Sequence, residues 1–178
     1  MKKTSIIFIA LFMMIFFSSA GSAQTVTENT TAGGKIGSEL ALTETSALHF
    51  GTMTVPSGAV NVLLSTTNIR TASVPANITL LAQTPVHQTA SYTVYGDNDQ
   101  DYQITLPANN SVTIVSGANH MHVNTFIYRT ASDGRDGHHG TLNGIGEDTF
   151  TVGATLILIN AQPYGVYSGT FNVTVAYP

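Results

Sequence analysis

Tyr167–Tyr177 reads YSGTFNVTVAY, and its side chains alternate in character almost without interruption. Aromatic residues, valines and a glycine stand at the odd positions, while small or polar residues stand at the even ones. A period of two is typical of a β-strand with one buried and one solvent-facing side. The alternation therefore predicts a strand over 167–177 that packs its aromatic side into a core. As a terminal strand, it could also pair with a strand of another molecule.

The sequence before this segment favours an all-β fold. Apolar runs of roughly five to ten residues alternate with Gly, Asn, Asp and Pro clusters about every ten residues, the pattern of a sandwich or barrel. Helical periodicity is missing from residues 24–178. About ten strands are predicted: Ser38–Leu42, Leu48–Val55, Val60–Ser65, Asn77–Ala82, Ala90–Tyr95, Tyr102–Leu106, Thr113–Val115, His122–Tyr128, Phe150–Ile159 and Tyr167–Tyr177.

Three local signals refine this prediction. Asp97–Asp101 separates two alternating runs, which predicts a hairpin. Ser132–Gly140 is rich in glycine, aspartate and histidine, which predicts a surface loop. Gly153 interrupts an apolar, branched run and predicts a bulge or a close approach of another backbone.

The N-terminus has the pattern of a cleaved signal peptide over residues 1–23. Lys2 and Lys3 precede an apolar run, Ile6–Phe17, and small residues lead to a predicted cut after Ala23. The run is shorter than the roughly 20 residues that span a bilayer, so no membrane span is expected after cleavage. We expect a protein exported to the periplasm, the cell surface or the medium, with a flexible leader at 24–37 and a sandwich domain at 38–178.

Composition narrows the possible functions. Removing 23 of the 178 residues leaves 155, which suits one domain, and changes the net charge from −4 to −6 because two lysines are lost. An acidic chain with few cations argues against a nucleic-acid partner. Charged residues make up 9% of the chain, against about a quarter in typical proteins, so hydroxyl and amide side chains must supply the polar surface. With no cysteine, disulfides, thiolate catalysis and sulfur-ligated zinc are excluded.

Five short motifs, in their order and spacing, resemble a family. They are LHFG at 48–51, YTVYG at 92–96, YQITLP at 102–107, FTVGATL at 150–156 and GVYSGTFNVTVAY at 165–177. From about Ser38 to the C-terminus the chain is similar to a bacterial secreted family called domain of unknown function 4402. More distantly it resembles chaperone-usher pilus subunits and spore coat U-like domains, which implies an immunoglobulin-like antiparallel β-sandwich.

The resemblance to pilins extends to the ends of the last strand. Pilins carry a penultimate aromatic residue and a glycine fourteen positions from the end, which Tyr177 and Gly165 match. The resemblance implies that this strand pairs with sister subunits or a periplasmic chaperone. The residues concerned would be Gly165, Tyr167, Phe171, Val173, Val175 and Tyr177.

Two features depart from the pilin pattern. The pilin cysteine pair is missing, and the leader offers only Val26 where a donated strand needs alternating apolar residues. Ile36, Leu40 and Leu42 do alternate, but they fit the domain's own first strand better than a donated one.

Two groups of residues could bind metal. Asp97, Asp99 and Asp101 suggest calcium, yet the segment lacks the glycine and bidentate acid of a helix–loop–helix site, and a solvated turn is favoured. His120 and His122 would share one face of a strand and could bind zinc or copper with a third ligand from Asp133 or Asp136. Chance surface histidines are the simpler interpretation, and no cofactor is predicted.

No catalytic residues are predicted. Residues 24–178 contain neither a G-x-S-x-G elbow nor an S-x-x-K pattern, and the adjacent acids Glu147 and Asp148 would face opposite ways on a strand. The sequence thus favours a non-enzymatic structural or surface-interaction protein, pilin-like or coat-like, whose C-terminal strand packs or pairs. The alternative is a self-contained binding module for a cation or a glycan.

Overall fold

The structure, a computed structural model, describes residues 36–178, so the predicted signal peptide and residues 24–35 of the leader lie outside it. In this part of the chain a single short 3-10 turn, Pro75–Asn77, accompanies twelve strands. No helix in the described range is long and apolar enough to cross a membrane. The strands are β1 (Ala41–Ser46), β2 (His49–Phe50), β3 (Val60–Leu64), β4 (Arg70–Ala72), β5 (His87–Gln88), β6 (Ala90–Tyr95), β7 (Asp101–Thr105), β8 (Val112–Ser116), β9 (Asn119–Thr130), β10 (Gly140–Thr141), β11 (Glu147–Leu158) and β12 (Thr174–Ala176).

β11 is the centre of a large antiparallel sheet. Along one edge its first half pairs with β6 and its second half with β3, while β9 pairs along the other edge. The sheet continues outward through β1, β4 and β8. Five of the twelve residues of β11 are β-branched (three threonines, one valine and one isoleucine), and such side chains suit a pleated surface.

The second layer covers the large sheet unevenly. β10, β7 and β12 form a three-stranded sheet, and side chains of β7 meet those of β6 and β11 in one core cluster. The other cluster consists mostly of large-sheet residues, such as Val62, Met121 and Leu156. Besides Phe50 and Ile78, only partly buried side chains cover it. Among them are Tyr167 and Phe171 of residues 167–177, which we call the C-terminal segment. One half of the large sheet is therefore closed by a sheet, and the other half by short segments.

The architecture confirms the predicted all-β antiparallel sandwich, but the predicted hairpin at Asp97–Asp101 is wrong. β6 pairs with β1 and β11, whereas β7 pairs with β10 and β12, so this segment crosses from one sheet to the other. Alternation shows that both strands have a buried face, but it does not say whether the two faces belong to the same sheet.

Several strand boundaries also differ from the prediction. Strand 48–55 shortens to β2, because Gly51 adopts a left-handed φ of 75°. Segment 77–82 makes only one isolated bridge, Met53 to Leu80, and segment 167–177 is a regular strand only at β12. β1 begins three residues later than predicted, while β4, β5 and β10 were not predicted. The bulge at Gly153 is confirmed by a register shift between Gly153 and Thr155.

Candidate functional site

The C-terminal segment alternates as its sequence predicts. Its odd-numbered side chains, glycine apart, are half-buried and its even-numbered ones are exposed. The half-buried ones pack on the core clusters: Tyr167, Phe171, Val173, Val175 and Tyr177. Gly165 and Gly169 are exposed. The segment therefore lies across the sandwich as a covering strand whose outer face is open to solvent.

Two aromatic residues anchor this segment. The ring of Phe171 lies 4.9 Å from that of Phe126, centroid to centroid, and contacts both core clusters. The Tyr177 hydroxyl accepts a 2.7 Å hydrogen bond from the backbone N–H of Asp97. The Asp97 carboxylate in turn accepts bonds from the N–H and hydroxyl of Ser38. The penultimate aromatic residue thus joins the C-terminus to the crossing between the sheets.

A groove of about 700 Å³ runs between the start of this segment and the stretch Leu48–Pro56, which we call the wall segment. Its floor is the sparsely covered core cluster: Val112, Ile114, Met121, Val123, Leu156 and Leu158. Exposed apolar side chains stand along its edges, with Val55 at 52% exposure and Tyr164 and Val166 at 89% each. Groups of exposed apolar side chains beside a concave surface are a common feature of interaction sites.

Arg70 holds the wall segment in place. Its guanidinium donates to the carbonyl oxygens of Phe50 (2.7 Å), Thr52 (3.1 Å) and Leu81 (2.8 Å). Any side chain at Gly51 would collide with this guanidinium and with the backbone of His87. Burial lowers the pKa of Arg70, and its Nε is buried without a hydrogen-bond partner. The Arg70 side chain therefore binds carbonyl groups of two segments, the wall segment and the stretch around Leu81.

We expect Arg70→Met to destabilise the protein by about 3 kcal/mol, because three carbonyl oxygens lose charge-assisted donors and the wall segment is released. Urea unfolding monitored by tyrosine fluorescence measures the loss. Arg135→Met is the matched control, since Arg135 is solvent-exposed and pairs only with Asp133 in the described structure; it should change little. Equal effects of the two substitutions would contradict the anchoring role of Arg70.

The predicted metal candidates are held in separate contacts. Asp97 binds Ser38, Asp101 accepts a 2.7 Å bond from the Thr141 hydroxyl, and Asp99 lies exposed in a left-handed turn. His120 and His122 share an exposed face of β9, with ring centroids 5.6 Å apart. In residues 36–178 no three His, Asp or Glu side chains are grouped so as to hold a metal ion.

The two aspartates considered as third ligands are bound elsewhere. Asp133 pairs with Arg135 at 2.7 Å, and Asp136 accepts a 2.7 Å bond from Thr66 and faces Arg129 at 3.9 Å. Hydrogen bonding and charge from Arg135 lower the pKa of Asp133. These contacts fix the Ser132–Gly140 loop against the large sheet.

A buried polar group inside the sandwich fixes the same loop. The Tyr102 and Ser132 hydroxyls donate to one carboxylate oxygen of Asp148, at 2.9 and 2.6 Å. Burial raises the pKa of Tyr102, and the charge of Asp148 and its hydrogen bond add to the shift. Asp148 is buried while its neighbour Glu147 is not, so the two acids do face opposite ways. The arrangement ties β7, β11 and the loop together.

Alkaline pH should destabilise the protein, because the buried tyrosines Tyr92 and Tyr102 are neutral in the folded state. Burial, with a smaller effect of Glu44, raises the pKa of Tyr92 to about 12. Because Tyr92 and Tyr102 both have folded-state pKa values above the unfolded one, their stabilising effect is complete below about pH 10 and falls as pH rises above it. From pH 9 to 11 we expect a loss of about 3 kcal/mol, roughly halved in Tyr102→Phe. Urea unfolding across this range tests it, and a pH-independent free energy would contradict it.

The geometry defines a class: an antiparallel β-sandwich domain whose C-terminal strand borders an open apolar groove. The chain belongs to the family described as Domain of unknown function (DUF4402), whose model matches residues 40–177. This confirms the family expected from the five motifs, and the matched region extends from just before β1 to the penultimate tyrosine. No curated protein and no solved structure matches the chain.

Proposed function

We propose that this protein is an exported structural subunit that assembles with other polypeptides through its C-terminal segment and the adjacent groove. The observation that carries the proposal is the sparsely covered half of the large sheet, where short segments and an apolar groove, and no second sheet, lie over the core cluster. A self-contained module has little reason to leave such a surface open, whereas a subunit gains stability when a partner covers it.

Three sequence features support an exported structural role over catalysis. The basic and apolar N-terminus is typical of a signal peptide, and the low charge content leaves a surface of hydroxyl and amide groups. The resemblance to pilus and coat subunits supports pairing through the last strand. The buried carboxylate of Asp148 is used to hold a loop, and it lies outside the groove.

Site-specific photo-crosslinking tests the proposal in a bacterium that makes and exports the full chain. A benzophenone amino acid replaces Val166, at the groove edge, or Ile145, an equally apolar control that is 75% exposed and outside the groove. We expect discrete adducts in the envelope from Val166 only, as multiples of the subunit mass or with a co-exported chaperone. N-terminal sequencing should find Gln24 first.

The proposal would be overturned by a chain that stays in the cytoplasm with residues 1–23 attached. Exported protein that yields no Val166 adduct, or equal adducts from Val166 and Ile145, would also exclude the groove as an assembly site.

A further inference from the structure

The C-terminal segment consists of two halves with different backbone partners. In the second half, Thr174–Ala176 pairs with residues 103–105 of β7, and Tyr177 is bonded to Asp97. In the first half, Ser168 alone has main-chain partners among residues 36–178: its N–H and C=O bond to Val115 of β8, at 3.0 and 2.8 Å. The second half is therefore already a sheet strand, while the first half is held at one point.

The first half presents a free backbone edge to the groove. Because Ser168 exchanges both hydrogen bonds with Val115, the N–H and C=O groups of its neighbours Tyr167 and Gly169 point away from β8. Within residues 36–178 no hydrogen bond uses these main-chain groups. Both residues line the groove.

The wall segment presents a second free edge. The N–H of Thr54 donates to Thr79, and the carbonyl of Thr52 accepts from Leu81, both at 3.0 Å. Met53 lies between these bonds, so the N–H and C=O groups of Met53 and Val55 point to the other side, toward the groove that both residues line. These groups also make no hydrogen bond in the described structure.

The groove lining specifies the side chains of an occupant. No Asp, Glu, Lys or Arg contributes to it, and its floor is aliphatic. A charged ligand would lose its hydration without gaining a counter-charge. A helix or an acyl chain would leave four main-chain N–H groups unpaired, whereas an extended peptide can bond to both edges.

We infer that the occupant is an uncharged, extended peptide segment of about five residues, apolar at alternate positions, that adds one strand between Met53–Val55 and Tyr167–Gly169. Its length follows from the open edges: each edge is three residues long, an added strand pairs with it residue for residue, and about one further residue at each end completes the strand. The inference rests on the proposed function and restricts it: the partner strand ends before Val173, because β12 already pairs with β7.

The test uses a blocked hexapeptide of alternating valine and threonine as the probe, added to the purified full-length exported chain. Amide NMR shifts should change at Met53, Val55, Tyr167 and Gly169 and stay constant at 174–176. The same peptide with alternate backbone nitrogens methylated has identical side chains but loses every N–H that points to one of its two edges, and should bind at least tenfold more weakly.

Val55→Pro provides the matching change in the protein. It deletes an N–H that bonds to nothing in the described chain, so the fold should persist, and the unmethylated peptide should bind at least tenfold more weakly. Val55→Ala keeps the N–H and should alter affinity less than threefold. If Val55→Pro does not fold, the methylated peptide makes the same test on the unchanged chain.

The inference is overturned if neither peptide binds, if both bind equally, or if the shifts appear at 174–176. These outcomes are separate from those of the assembly proposal. Val166 adducts without peptide binding would support the assembly proposal and contradict the added strand. Peptide binding without Val166 adducts would support the strand site and contradict the proposal of a structural subunit.

Discussion

Replacing Gly153 with alanine is expected to destabilise the protein by about 3 kcal/mol or more, lowering the melting temperature by roughly 10 °C. Gly153 stands where the partner of β11 changes, between the last β6 pair at Val152 and the first β3 pair at Ala154. A Cβ there would fall on the carbonyl oxygen of Leu64 and within 2.8 and 2.9 Å of Ser65 and Thr66 backbone atoms. The neighbour is backbone, which cannot move aside as a side-chain end can.

Gly144→Ala is the matched control for this prediction. A Cβ at Gly144 meets no atom within 4 Å, and its φ lies outside the left-handed range, so the change should stay within about 0.5 kcal/mol. Thermal unfolding followed by circular dichroism compares the two variants. If both variants melt at the same temperature as the parent protein, then the close backbone approach at Gly153, where the partner of β11 changes from β6 to β3, does not affect stability.

The position of Gly153 shows what the sequence can predict and what it cannot. A glycine inside a branched, apolar strand signals a bulge or a close contact locally, and the bulge was predicted. Which backbone approaches depends on β3, some ninety residues earlier in the chain. Similarly, alternation located the longer strands within a few residues, because burial of one face imposes a period of two on the sequence itself.

The short strands and the groove could not be predicted in this way. β4, β5 and β10 contain two or three residues each, too few to show a period, and they form because a neighbouring strand offers hydrogen bonds. The anchoring role of Arg70 has no sequence motif, since its three partners are main-chain carbonyl oxygens that any residue could supply. The groove depends on which half of the large sheet the second layer covers, and that is a property of the whole topology.

Phe171→Asp is the second change for which we expect a large loss, about 3 to 4 kcal/mol. Phe171 is half-buried, packs on Phe126, and is the segment residue that contacts both core clusters beside the groove. Aspartate removes this aromatic contact and places a carboxylate against aliphatic side chains with no cation among the groove-lining residues.

Asn172→Asp adds the same charge one position along, where the side chain is exposed, and should cost less than about 0.5 kcal/mol. Urea unfolding of the three proteins gives the difference between the two substitutions. A large difference requires that adjacent side chains of this segment point to opposite sides, one into the sandwich and one into solvent. Equal losses would mean that the segment does not lie across the core in this register, and both the groove and the strand site described above would lose their C-terminal border.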